Sequence, residues 1–187
     1  MLIRVLGSKE YLETLALQRE LVARRLRDEI PDTLLLVEHE PVYTTGASSK
    51  APVPPGLPHP VHRVERGGDL TYHGPGQLVG YPILDIRALG LKPRSYLRTL
   101  EAVLGEALRP LGVETDTLRG FTGLWTGGRK IGSIGVAVRD RVSYHGFAIN
   151  VADESLLGFR AIHPCRLEPE QMSTLEKALG RPLPMDA

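Results

Sequence analysis

The sequence predicts an α+β (α/β) domain, a mixed β-sheet with helices packed on it. Three observations point there. Short apolar runs bounded by glycine and proline outnumber helical repeats. The two strong helical repeats are inserted between groups of those runs. No linker, internal repeat or low-complexity tail divides the 187 residues, so residues 1–187 read as one domain.

Taken in order, Leu2–Leu6 reads as a short strand and Ser8 as the cap of a first helix. Leu12, Leu15, Val22 and Leu26 recur at helical spacing to about Glu29, and Pro31 ends that helix. Thr33–Val37 is a compact apolar run, expected as a buried strand. Ala47–Pro60 carries five prolines and reads as a loop, either a lid or a plain surface connection. Val61–Glu65 alternates like a half-buried strand, and Leu78–Ile86 is another.

Pro93 suits the first turn of a second helix. Tyr96, Leu97, Leu100, Val103, Leu104, Ala107, Leu108 and Leu111 give that helix one apolar face, and Gly112 stops it. Phe121–Thr126, Gly127-Gly128 and Arg129–Val138 form a hairpin signal. Asp140-Arg141 turns the chain into Val142–Val151; Asp153–Ile162 is irregular, and Glu170–Leu179 closes as a short helix.

Composition narrows the function. A net charge of +1 gives no global field for nucleic acid or a membrane surface. With one cysteine, Cys165, no intrachain disulfide forms, so nothing calls for an oxidising compartment. MLIRVLGSKEYLE lacks the pattern of a signal peptide, and no window reaches a membrane-spanning length. The cytoplasm is the expected location.

The stretch most suited to a site is Arg66–Ile83, RGGDLTYHGPGQLVGYPI. Its glycines let backbone approach a ligand, and Arg66, Asp69, Thr71, Tyr72, His73 and Gln77 sit among them. Gly74-Pro75-Gly76 on its own marks a turn. Cys165 follows a proline in an irregular segment, flanked by His163 and Arg166; a lone cysteine is commonly a small buried hydrophobe, but positive neighbours lower a thiol pKa. Lys130 opens the strand GRKIGSIGV, whose Gly132, Ser133 and Gly135 weaken it unless something must come close to its backbone. His73, His145, His163 and Cys165 supply metal-type donors, but no pair has a familiar metal interval. A phosphate loop, a dinucleotide fingerprint and a Gly-x-Ser-x-Gly elbow are all missing.

Five segments together resemble the lipoyl(octanoyl) transferase family of lipoate biosynthesis. They are VEHEPVYTTG (Val37–Gly46), RGGDLTYHGPGQLVGYPI, GRKIGSIGV (Gly128–Val136), SYHGFAINV (Ser143–Val151) and Pro164-Cys165, in the family's order, from about residue 34 to 165. One departure is Arg166, where members often have glycine. The resemblance implies the fold of the lipoate- and biotin-protein ligase catalytic domains. It implies transfer of an octanoyl group from octanoyl-acyl carrier protein to a specific lysine of lipoyl domains, those of 2-oxoacid dehydrogenase E2 subunits and of the glycine cleavage H protein. By motif position, Cys165 would be the thioester-forming nucleophile and Lys130 the partner that lowers its pKa. Arg66, Gly67, Gly68, Asp69, Leu70, Thr71, Tyr72 and His73 would line the acyl site, with Ser133, Ile134, Gly135, Gly146, Phe147 and Ala148. Neither cofactor nor metal is implied. The competing expectations are an ATP-dependent lipoate- or octanoate-protein ligase on the same fold, and a non-catalytic module that binds acyl carriers or lipoyl domains.

Overall fold

The computed structural model describes residues 1–164 and 167–185. Its strands are β1 (Leu2–Lys9), β2 (Thr33–His39), β3 (Val42–Gly46), β4 (Val61–Val64), β5 (Thr71–His73), β6 (Gln77–Ile83), β7 (Gly123–Thr126), β8 (Arg129–Arg139) and β9 (Val142–Asn150). The helices are α1 (Tyr11–Leu26), α2 (Pro93–Leu108) and α3 (Leu175–Leu179). A six-stranded sheet runs β1-β2-β6-β9-β8-β7, and a small one runs β4-β3-β5. Parallel pairing (β1–β2, β3–β4) coexists with antiparallel pairing in both, so the predicted mixed sheet is what forms.

β1 continues to Lys9, which pairs with His39, and so absorbs Ser8, the expected cap. Glu10 takes that role instead, its carboxylate accepting from the amides of Leu12 (2.9 Å) and Glu13 (2.8 Å). Helix α1 then buries Leu21 and Val22 against Val79, Tyr81 and Ala148 of β6 and β9. On the opposite face of the large sheet, α2 buries Tyr96, Leu100, Leu104 and Leu108, one residue per turn. Leu104 and Leu108 join Leu124, Ile131, Phe147 and Ile149 in the largest core cluster. A 3-10 turn, Arg109–Leu111, follows α2, and Gly112 ends it at φ 88°.

The β7–β8 hairpin turns on Gly127 and Gly128, both at positive φ, as a two-residue turn matched to strand twist requires. Residues 153–161, expected to be irregular, wind as a 3-10 helix. The closing helix is shorter than the sequence predicts. Met172 pairs with Lys130, and Thr174 caps a new start by accepting from the Lys177 amide at 3.1 Å, so only Leu175–Leu179 is α-helical and Pro169–Gln171 is a separate 3-10 turn. Among the described residues no helix is long and apolar enough to cross a membrane.

Candidate functional site

A narrow slot lies on the α1 face of the large sheet, between β8, β9 and the glycine loop. One wall is Ser133 and Gly135 on β8 with Gly146 and Ala148 on β9. These four face one another across the ladder, Ser133 opposite Ala148 and Gly135 opposite Gly146, so their small size hollows the sheet surface. Arg66, Gly67, Gly68, Thr71 and His73 form the other wall. Val79, Tyr81 and Tyr11 close the far end, and Lys130 stands at the near end. A second hollow shares Gly67, Gly68, Lys130, Ile134 and Gly135, and opens beside the first toward Leu97, Phe121 and Thr122.

Lys130 reaches the slot because of a β-bulge. Leu124 pairs with Gly132, but the next residue, Trp125, pairs with Lys130, which leaves Ile131 as an extra residue. Without the bulge, plain alternation of these residues would pair Lys130 with Thr126 and place it on the face of Ile134, which packs with α2. With it, Lys130 shares the face of Trp125, its ammonium 5.9 Å from the indole centre. A bulge beside a site commonly re-aims a side chain in this way. The Lys130 side chain is buried, and its backbone carbonyl accepts from Ser173 N–H at 2.8 Å.

The glycine loop is pinned from within by Arg66, which is only 7% exposed. Its guanidinium donates to the carbonyl of Thr44 (2.6 Å), the hydroxyl of Thr44 (2.9 Å) and the carbonyls of Asp69 (3.0 Å) and Gly67 (2.9 Å). The loop also lies hard against β3. A Cβ on Gly46 would stand 2.2 Å from the Gly68 carbonyl oxygen, which only glycine permits. The proline-rich segment 47–60 is fastened to the same loop, Ser49 Oγ donating to Asp69 at 2.7 Å.

The histidines and tyrosines of the slot lean toward their neutral forms. Burial, then the charges of His39 and Arg66, holds His73 well below the usual imidazole range. Burial, then Arg66, brings His145 down to about 4. Burial pushes the Tyr11 phenol up to about 12 and Tyr81 well above its ordinary value. A wall of neutral rings and bare strand backbone favours an uncharged, flexible chain over an ion.

The structure brings most of the expected acyl-site residues together. Asp69 lies in the adjoining hollow rather than in the slot. Leu70 and Tyr72 point elsewhere, into a cluster with Tyr43, Phe159, Ile162 and Met172, because β5 alternates and Thr71 and His73 have taken the slot side. Ile134 and Phe147 line the slot, but their side chains pack on the α2 side. Cys165 and Arg166 lie outside the described residues. His163 is exposed and faces Glu168 at 3.3 Å. Among the described residues no three metal-type donors converge. The sequence reading missed Tyr11, Val79, Tyr81 and, as a slot residue, His145; the φ of 54° at His145 takes it out of plain strand geometry.

Residues 10–187 match the family model "Lipoyl protein ligase A/B catalytic domain". An octanoyltransferase of Geobacter metallireducens is 45% identical over 99% of this chain and 86% of its own length. The chain belongs to the octanoyltransferases of this family. It is an acyltransferase. The fold agrees with solved relatives. A lipoate-protein ligase A crystallised with ATP superposes at a TM-score of 0.77 and 18% identity, covering 100% of this chain and 80% of that one. A biotin protein ligase of Aquifex aeolicus superposes at 0.55 and 12% identity, covering 99% and 64%. The octanoyltransferase slot thus sits in the architecture that the sequence resemblance implies.

Proposed function

We propose that this chain moves an octanoyl group from octanoyl-acyl carrier protein to a lysine of lipoyl domains, including those of 2-oxoacid dehydrogenase E2 subunits and the glycine cleavage H protein, by way of a thioester on Cys165. The observation that carries the reading is the buried Lys130 at the end of a slot lined largely by glycine backbone, small side chains and neutral rings. The 45% identity to a curated octanoyltransferase supports the choice of acyl group.

In the first step the Cys165 thiolate attacks the donor thioester carbon. A new C–S bond forms, the carrier's C–S bond breaks, and the departing thiolate takes a proton from the Lys130 ammonium. An ammonium beside the sulfur favours the thiolate, and this is the part given to Lys130. In the second step the neutral amine of the acceptor lysine attacks the same carbon. The Cys165 thiolate leaves, and the proton lost by the amine goes to the now neutral Lys130, which restores the ammonium. A thioester already carries the energy for amide formation, so no nucleotide enters. Each methylene placed against apolar wall contributes about 0.8 kcal/mol, which selects a medium chain over a short one.

The test is intact-mass measurement after mixing with octanoyl-acyl carrier protein. An octanoyl adduct mapped to Cys165, chased to a lipoyl domain, is the expected result. Adduct absent, with pyrophosphate released from ATP and free octanoate, would overturn the reading in favour of a ligase. Absence of any modified lipoyl domain would reduce the chain to a binding module.

A further inference from the structure

Behind the slot, a line of buried amides joins His73 to the strand of Lys130. Gln77 is completely buried and Asn150 nearly so. Atoms that can act in only one sense fix the polarity of the line. The Ser173 carbonyl only accepts, so Asn150 donates to it from Nδ2 at 3.0 Å. Asn150 Oδ1 then accepts from Gln77 Nε2 at 3.1 Å. The Tyr72 carbonyl, also only an acceptor, takes the other Nε2 proton at 3.2 Å. Gln77 Oε1 is thereby turned toward His73 Nδ1 at 3.2 Å, and an amide oxygen requires a proton there.

The other side of the ring gives the same answer. Arg66 only donates, and its Nη2 and Nε reach the Thr44 hydroxyl oxygen at 2.9 and 3.3 Å. The single Thr44 proton is left to point at His73 Nε2, 3.3 Å away. An imidazolium would set Nε2–H against that hydroxyl and lose the bond.

We propose that Gln77 and Asn150 are positioning residues of the acyl site, which lock His73 as the neutral Nδ1–H tautomer and so keep it from carrying protons. The same line tethers Lys130, because the Ser173 whose carbonyl takes Asn150 also donates its N–H to the Lys130 carbonyl. The ionisable groups that face His73 are Tyr11 from α1, His39 from β2, Arg66 from the glycine loop and His145 from β9. The inference rests on the octanoyl-transfer reading only for what the lock serves; the tautomer is read without turnover.

The experiment is two-bond proton–nitrogen NMR on the full chain with labelled histidine, from about pH 5 to about pH 8, with His73 assigned by the signal lost in His73→Gln. A protonated Nδ1 and bare Nε2 that do not titrate are expected in the wild type. Gln77→Glu puts a carboxylate against Nδ1–H, so His73 titrates inside the window. Octanoyl transfer by that variant then falls as pH drops through the titration, with KM taking most of the change. Asn150→Ala removes one of the two acceptors that orient Gln77 while Tyr72 and Thr44 still hold the ring, so the Nδ1–H form persists and its proton exchanges faster with water. A wild-type Nε2–H signal, titration of wild-type His73 in the window, or a Gln77→Glu spectrum and pH profile like the wild type overturns the proposal. If the variants do not fold, the wild-type spectrum decides by itself.

Discussion

Gly135 lies directly opposite Gly146 across the β8–β9 ladder, and the two differ in the room each leaves for a side chain. A Cβ on Gly146 would meet the Gly80 carbonyl oxygen at 2.2 Å, backbone that cannot step aside. A Cβ on Gly135 would meet the Gly67 carbonyl oxygen at 3.0 Å and the flexible Arg66 Cδ at 3.1 Å. The two glycines therefore predict different outcomes. Gly146→Ala should lower stability by about 1–3 kcal/mol, read as a drop in Tm. Gly135→Ala should fold and lose roughly tenfold or more in kcat/KM for octanoyl donors, with butanoyl donors less affected because the lost space is in the slot. Equal losses for both donors would detach Gly135 from chain selection.

Lys130 and Cys165 should be coupled chemically. In Lys130→Ala the alkylation rate of Cys165 at neutral pH should fall about tenfold for each unit by which the thiol pKa rises. A superposable pH–alkylation profile would separate the two residues. Cys165→Ser should form no hydroxylamine-labile octanoyl adduct, whereas the wild-type adduct should be released by hydroxylamine.

Stability should fall on mild acidification, before the carboxylates titrate. The folded-state value of His145, about 4, is below that of an unfolded histidine, about 6.5, so the unfolded chain takes up its proton first. The contribution is complete above about pH 6.5 and fades as pH drops toward about 4, reaching on the order of 2 kcal/mol lost by pH 5. His73 and His39, also lowered, act with the same sign. Denaturant midpoints at several pH values check this. His145→Asn, which tolerates the positive φ, should flatten the slope.

Arg66→Lys should not rescue Arg66→Ala. A single ammonium cannot replace a fork that reaches Thr44, Gly67 and Asp69 together. A loss of about 1.5–3 kcal/mol is expected for each, by chemical denaturation. Wild-type stability in the lysine variant would show that the loop is held by other contacts.

Much of this was legible in the residues. Periodicity placed both long helices, glycine pairs placed the β7–β8 hairpin, and the loop Arg66–His73 announced itself by composition. What periodicity could not show was parity. A bulge at Ile131 leaves no local mark, since Lys130 and Ile134 are four residues apart whichever face each takes. Nor could local pattern find Tyr11, Val79 and Tyr81, which meet the slot through packing between α1 and β6. The opposite facing of Leu70 and Tyr72 was available from strand alternation alone, once Thr71 and His73 were given to the site. Glu10 displaced Ser8 as cap for a reason remote in sequence, the partner that His39 offers to Lys9.

The supernumerary isoleucine also ties architecture to chemistry. Drawn into an even ladder, the same residues would pair Lys130 with Thr126 and swing its ammonium to the opposite side of the sheet, whereas with Ile131 excised Lys130 would still pair with Trp125 and keep its side. What Ile131 adds is packing: it is fully buried in the largest core cluster, so its loss would register in thermal stability.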